Sequence, residues 1–121
     1  MSTQEVANRW AELCRTGQFD QAVEELYDEN CVSIEMKGAQ GFPYKLEGLD
    51  AIKQKGEQFN QMVEAFHGVA IEGPLVADNH FTATMKMDIT MKGQPRTLNE
   101  EVTVYQVKDG KIVAEQFFYD V

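Results

Sequence analysis

The most restrictive feature of this sequence is an uninterrupted alternation of apolar and polar side chains between Phe81 and Met91. Successive side chains of a strand point to opposite faces, so a period of two predicts a strand with one buried face. Asp78-Asn79 before this segment and Lys92-Gly93-Gln94-Pro95 after it have the composition of turns. The predicted buried face consists of Phe81, Ala83, Met85, Met87, Ile89 and Met91.

Other segments of the C-terminal half also have the composition of strands. Lys108-Asp109-Gly110 is typical of a hairpin turn and joins two of them. Gly73-Pro74 interrupts an earlier strand candidate. These additional strands are predicted at His67–Glu72 with Leu75–Ala77, at Arg96–Val107 and at Lys111–Asp120.

The N-terminal half has the helical period instead. Val6, Trp10 and Leu13 recur at helical spacing and predict a helix over Thr3–Arg15, which Gly17 ends. The rest of this half is divided into a helix at about Phe19–Tyr27, a short strand at Cys31–Met36, a loop at Lys37–Glu47 and a helix at about Gly48–Ala65.

Helices come first along this chain and antiparallel hairpins come last, which is the order of an α+β domain. The pattern therefore predicts three N-terminal helices packed on a strongly curved, mostly antiparallel sheet. Such a half-open cone often contains an internal pocket. With 121 residues, the chain is interpreted as a single domain spanning residues 1–121.

Charge and cysteine content exclude several classes of function. The chain has 20 acidic and 11 basic residues, and this acidic balance argues against nucleic acid or an anionic membrane as a partner. Cys14 and Cys31 have no metal-binding spacing and are interpreted as free buried thiols, which fits a reducing cytoplasm. No signal peptide pattern and no membrane-spanning apolar run is recognised, and no metal or cofactor is predicted.

Glu35 is the strongest candidate for a chemical role. It lies near the end of the apolar run Cys31–Met36. Apolar surroundings raise the pKa of a carboxyl group, because low dielectric disfavours the charged form, and such a group can act as a general base. The alternative is a solvated strand end, or a charge pair with Lys37 or Lys45.

Four segments resemble the SnoaL-like and ketosteroid-isomerase-like branch of the nuclear transport factor 2-like superfamily. They are NRWAELCRTGQFDQAVEELYDEN, CVSIEMKG, GLDAI and TATMKMDITMKGQPRTLNEEVTVYQVKDGKIVAEQFFYD. The resemblance implies a cystatin-like cone and a homodimer formed through the outer sheet face. It leaves the activity open, because this superfamily includes isomerases, cyclases, dehydratases and binding modules.

The resemblance also implies roles for individual positions. Glu35 occupies the position of the isomerase's general base, which is an aspartate there. Trp10 replaces the oxyanion-hole tyrosine, and Val102 replaces the protonated aspartate that also stabilises the oxyanion. Valine cannot donate a hydrogen bond, and loss of one oxyanion donor costs about a hundredfold or more in rate. Steroid isomerisation itself is therefore not expected.

The same resemblance implies which side chains face the pocket. Glu100 and Glu115 either converge with Glu35, or lie in solvent and pair with Arg96 or Lys111. Asp120 is a second-choice acid or base. His67 and His80 have no neighbouring nucleophile in the pattern. The predicted pocket residues are Trp10, Tyr27, Phe59, Met85, Met87, Glu100, Val102, Glu115, Phe117 and Tyr119.

Two functions remain open at this point. In the first, the cavity binds a small apolar molecule and Glu35 catalyses proton transfer on it, as in an isomerase, cyclase or dehydratase. In the second, the chain is a non-catalytic module that binds a small molecule or only dimerises. The surroundings of Glu35 distinguish the two, because a catalytic base needs access to the cavity.

Overall fold

The computed structural model describes residues 1–39 and 41–121, which form an α+β fold of three helices and six strands. The predicted fold class is confirmed. In chain order, the elements are α1 (Thr3–Arg15), α2 (Phe19–Leu26), β1 (Tyr27–Ile34), β2 (Lys45–Glu47), α3 (Leu49–Met62), β3 (Val63–Ala77), β4 (His80–Met91), β5 (Arg96–Lys108) and β6 (Lys111–Phe118).

The strands form one mixed sheet in the order β2-β1-β6-β5-β4-β3. The β1–β6 pair is parallel, and the other neighbouring pairs are antiparallel. The three consecutive hairpin strands β3, β4 and β5 were predicted from their alternation and turns. The parallel contact of β1 with β6 brings the N-terminal strand against the last one, so residues distant in sequence become neighbours.

Helix α1 has the predicted boundaries. Ser2 caps its N-terminus, because the Ser2 hydroxyl accepts from the Glu5 amide at 3.1 Å while the Glu5 carboxylate accepts from the Ser2 amide at 2.9 Å. Its inner face includes Trp10, which packs against Phe81 of β4 and Tyr105 of β5 with ring centroids 5.5 and 4.9 Å apart. This aromatic cluster joins the helical layer to the sheet.

The predicted end of α3 was wrong. The helix ends at Met62, not at Ala65, and the chain continues directly into β3. Val63 and Phe66 lie opposite Met91 and Ile89 of β4. Strand pairing therefore extends across a segment whose apolar spacing favoured helix, because tertiary contacts outweigh weak local propensity.

Three other strand boundaries differ from the prediction. Strand β1 begins at Tyr27 and ends at Ile34, so Glu35 lies just beyond it. The predicted loop before α3 contains the short strand β2, which pairs with the end of β1. Gly73-Pro74 does not divide β3, which runs through it with a register shift between Glu72 and Leu75.

The register of the β4–β5 hairpin decides which residues of β5 face the helices. Ala83 lies opposite Thr103 and Met85 lies opposite Glu101, and Thr103 is fully buried. Val102 lies opposite Thr84 and is 42% exposed, so its predicted place in the pocket was wrong. A shift of one residue moves a side chain to the other face of a sheet, and the resemblance had placed β5 one residue out of register.

We expect Phe81→Ala to lower the free energy of unfolding by about 3–5 kcal/mol, because it leaves a cavity between Trp10 and Tyr105. Urea unfolding followed by far-ultraviolet circular dichroism measures this. Leu75→Ala is the control, since Leu75 is 70% exposed, and its effect should stay within about 0.5 kcal/mol. Equal effects of the two substitutions would contradict the assignment of Phe81 to the core.

Candidate functional site

A cavity of about 840 Å³ lies between the helices and the inner face of the sheet. This volume is within the usual range of small-molecule sites. Exposed residues such as Asp20 and Asn60 border it, so it opens to solvent near α2 and the end of α3. Of the predicted pocket residues, it is bordered by Trp10, Tyr27, Phe59, Met85, Met87, Glu100, Glu115, Phe117 and Tyr119.

Glu35 lies in the wall of this cavity and is only 7% exposed. Its amide donates to the Tyr44 carbonyl at 2.8 Å, which fixes the backbone just after β1. Its Oε2 accepts a hydrogen bond from the Tyr119 hydroxyl at 2.6 Å. Neither predicted lysine pairs with it: Lys45 contacts Glu47 at 3.2 Å, and Lys37 lies over the Tyr44 ring.

The cationic partner of Glu35 is Lys55 of α3, whose ammonium contacts Oε1. Lys55 Nζ also lies 4.8 Å from the ring centroid of Phe117 and 5.5 Å from that of Phe42. This ion pair is largely buried, so removal of either partner would leave an uncompensated charge inside the protein. Lys55 therefore connects α3 to the end of β1 across one side of the cavity.

Two further carboxyl groups border the same cavity. Glu115 of β6 is 5% exposed, and burial raises its pKa to about 7 despite the charge of Lys55, which lowers it. Glu101 of β5 is half-buried, and burial followed by the charge of Glu35 raises its pKa to about 7 as well. Both groups can therefore exchange protons near neutral pH, the range that suits general acids and bases.

Glu35 and Glu115 both border the cavity, and the glutamate of β5 that is half-buried there is Glu101 rather than Glu100. Glu100 is exposed at the cavity border and pairs with Lys86 at 3.6 Å. The sequence contained no signal for Glu101, because a turn at 92–95 would pair Met91 with Arg96 and place even positions of β5 on the inner face. In the structure Thr90 pairs with Arg96 instead, so odd positions of β5 lie on that face.

Lys55 was also missed by sequence reasoning, although a signal for it exists. Ile52 and Phe59 are apolar positions of α3, and both border the cavity. Lys55 lies three residues after Ile52 and four before Phe59, so it falls on the same helical face. Lysine side chains are mostly exposed in proteins, so a lysine at this position does not indicate a buried contact.

Other candidates from the sequence lie apart from this cluster or are unreactive there. Burial raises the pKa of the free thiols Cys14 and Cys31 to about 12, so both are held as neutral thiols. His67 and His80 are exposed and contact Thr90 and Asn79. Asp120 borders the cavity and is exposed.

Within residues 1–39 and 41–121, no group of histidine, cysteine and acidic side chains is arranged to hold a metal ion, and no helix is long and apolar enough to cross a membrane.

Comparisons with known proteins agree on one family. The sequence profile of the SnoaL-like domain matches residues 1–119. A crystal structure from Mesorhizobium loti, described as a candidate SnoaL-like polyketide cyclase, is 32% identical, with 98% of this chain and 100% of that chain covered and a TM-score of 0.90. No match was found among curated proteins.

More distant structures share the fold. An NTF2-like protein of unknown function from Burkholderia pseudomallei is 12% identical, with 99% and 92% coverage and a TM-score of 0.83. A protein with a ketosteroid isomerase-like fold from Catenulispora acidiphila, solved in complex with trimethylamine, is 20% identical, with 97% and 86% coverage and a TM-score of 0.76. The predicted superfamily is confirmed.

We expect stability to fall as pH rises through neutrality, and Glu115→Gln to reduce this fall. Folded Glu115 keeps its proton up to about pH 7, whereas an ordinary glutamate releases it near 4.5. Between these values the folded state binds more protons, so its stability is fully present below pH 4.5 and is lost through pH 7. One pKa unit is about 1.4 kcal/mol, which makes the loss from Glu115 about 3 kcal/mol.

Urea unfolding at about pH 5 and about pH 8 measures this difference. Glu101 contributes in the same direction, so Glu115→Gln should remove about half of the fall. Glu72→Gln is the control, because Glu72 is exposed on β3 and does not border the cavity. If the Glu115 variant keeps the full pH dependence of the parent protein, the carboxyl group of Glu115 is not the source.

Proposed function

The chain belongs to the SnoaL-like domain family, and we propose that its cavity binds a small, largely apolar molecule bearing a carbonyl group and transfers a proton on it. The observation that carries this proposal is the buried carboxylate Glu35, held in the cavity wall by Tyr119 and Lys55. The family resemblance and the isomerase- and cyclase-type neighbours support the reaction class.

Glu35 is the proposed base. A carboxylate has about four lone-pair sites, and Tyr119 and Lys55 each occupy one of them, which leaves acceptor capacity toward a ligand. The two contacts also hold the carboxylate in one orientation, and fixed orientation is a large part of catalytic advantage. In the proposed step, Glu35 removes a proton from the carbon next to the ligand's carbonyl group.

Glu101 is the proposed acid. Its pKa of about 7 keeps a large fraction of it protonated at neutral pH, so it can donate a hydrogen bond to a ligand oxygen on which negative charge develops. Val102 lies on the outer face of the sheet, so its inability to donate a hydrogen bond does not affect the cavity. Glu101 borders the cavity instead. Trp10 still stands where the isomerase has a tyrosine.

A specific observation favours the second candidate function, a non-catalytic binding module. The ammonium of Lys55 contacts Glu35 Oε1, so the carboxylate already has a charged partner in the absence of a ligand. In such a module, Glu35 and Lys55 would orient a bound molecule without exchanging a proton with it. The two functions differ in whether hydrogen on the ligand exchanges with solvent.

We expect the protein to accelerate hydrogen exchange next to a carbonyl group. Small ketones and cyclic enones with apolar bodies would be incubated with it in deuterium oxide, and proton nuclear magnetic resonance would measure the loss of the signal from that carbon. Glu35→Gln should slow the exchange by about a hundredfold or more, because glutamine cannot accept the proton. Glu72→Gln, outside the cavity, should leave the rate unchanged.

Two results would overturn the catalytic proposal. One is an exchange rate equal to that of buffer for every ligand that binds, which would indicate a binding module. The other is full activity in Glu35→Gln. Thermal unfolding of that variant separates a chemical effect from loss of the fold, since removal of one member of a buried ion pair is destabilising.

We also propose a homodimer formed through the outer face of the sheet. Val102 and Phe118 lie directly opposite each other on β5 and β6, and their side chains are 42% and 41% exposed. Adjacent exposed apolar residues at the middle of a sheet are typical of an interaction surface. Each copy would carry a net charge of −9 and repel the other, so the contact would have to rest on apolar packing.

We expect Phe118→Asp to produce a monomer, because a buried unpaired charge opposes association. Size-exclusion chromatography with light scattering measures the mass. Met62→Asp is the control, since Met62 is an exposed apolar residue at the end of α3 and does not lie on the sheet. A parent protein that is monomeric at high concentration would contradict the dimer.

A further inference from the structure

The charges that border the cavity do not balance. Among the lining side chains that are buried or half-buried, Glu35, Glu101 and Glu115 contribute three carboxyl groups, and Lys55 contributes one ammonium that is paired with Glu35. Across residues 1–39 and 41–121, no lysine, arginine or histidine nitrogen lies within 4 Å of a Glu101 or Glu115 oxygen. Within these residues, neither Glu101 nor Glu115 therefore has a cation in direct contact, although the charge of Lys55 lowers the pKa of both.

Glu115 is the more deeply buried of these two carboxyl groups. More than nine-tenths of it is buried, and its carboxyl group borders the cavity. Burial raises its pKa, and the charge of Lys55 and a hydrogen bond from the Tyr27 hydroxyl offset only part of that rise. A buried carboxylate without a counter-ion is unfavourable, so Glu115 must either hold a proton or meet a cation supplied from outside.

Aromatic rings border the same space. The ammonium of Lys55 already lies over the Phe117 ring at 4.8 Å and near that of Phe42 at 5.5 Å, so the wall accommodates a cation against ring faces. Ring faces attract organic cations because the π-system carries partial negative charge there. The aromatic lining comprises Trp10, Phe19, Tyr27, Phe42, Phe59, Tyr105, Phe117 and Tyr119.

We propose that the molecule bound in this cavity carries a positive charge: a small organic ammonium whose charged end lies near Glu101 and Glu115 and whose apolar body lies against the aromatic wall. A bare metal ion fits less well, because within the described residues the acidic side chains are not grouped as metal ligands. The inference rests on the proposed function only in taking the cavity as the ligand site.

Binding of a cation favours the ionised forms of Glu101 and Glu115, so protons should be released on binding near neutral pH. Other titratable groups around these two side chains come from every neighbouring element. They are Cys14 of α1, Asp20 of α2, Tyr27 and Cys31 of β1, Glu35 after β1, Lys55 of α3, Glu100 and Tyr105 of β5, and Tyr119 and Asp120 after β6.

The test compares choline with 3,3-dimethylbutan-1-ol, which has the same shape but no charge. Isothermal titration calorimetry on the full chain measures both, and benzyltrimethylammonium provides a larger cation. We expect the cations to bind at least tenfold more tightly than the neutral alcohol. Titration in two buffers of different ionisation enthalpy should show proton release for the cations and none for the alcohol.

Two substitutions test whether Glu115 and Glu101 cause the preference for cations over the neutral alcohol. Glu115→Gln and Glu101→Gln should each weaken cation binding by about tenfold and lower the ratio of cation affinity to alcohol affinity, because the charge is removed. Glu72→Gln should change neither. Both variants replace a carboxyl group by an amide of the same shape, and the comparison of ligands on the parent protein needs no variant.

Three outcomes would overturn the inference: equal affinity for choline and the alcohol, absence of saturable binding of both cations at millimolar concentration, or an unchanged cation preference in both variants. The proposed function fails separately. Hydrogen exchange on carbonyl ligands without a cation preference would leave proton transfer standing and remove this inference. Cation binding without hydrogen exchange would leave this inference standing and remove the proposal of proton transfer.

Discussion

Alternate side chains of a strand point to opposite faces, and the pairing of β4 with β5 therefore decides the contents of the cavity. With Met85 opposite Glu101, the inner face of β5 presents Glu101, Thr103 and Tyr105 to the helices. Shifting the register by one residue would instead expose those groups to solvent and bury Val102. The aromatic packing of Trp10 and the composition of the cavity both follow from this one constraint.

The electrostatic character of the cavity follows from its burial. Lys55 and Tyr119 hold Glu35 by charge and by a hydrogen bond, while Glu101 and Glu115 lack a cationic partner among the described residues. Low polarity raises the pKa of these two groups to about 7. A site that combines a fixed carboxylate with two carboxyl groups poised near neutrality is suited to proton transfer and to recognition of positive charge.

Much of the fold could be predicted because its signals are local. The Ser2 cap and the spacing of Val6 and Trp10 define α1 without reference to the rest of the chain. The alternation of β4 and its flanking turns define a hairpin in the same way. The extension of β3 back to Val63 could not be predicted, because it depends on pairing with Met91 and not on local propensity.

The sequence by itself determined that this chain is an α+β cone, that Glu35 lies in an apolar segment, and that Glu115 belongs to the last strand. Local periodicity and resemblance contain that information. Only the tertiary structure decided that Lys55 is the partner of Glu35 and that Glu101 is half-buried in the cavity while Glu100 is exposed at its border. Helix docking and strand register join residues far apart in sequence, and the burial that sets their pKa exists only after those elements have packed.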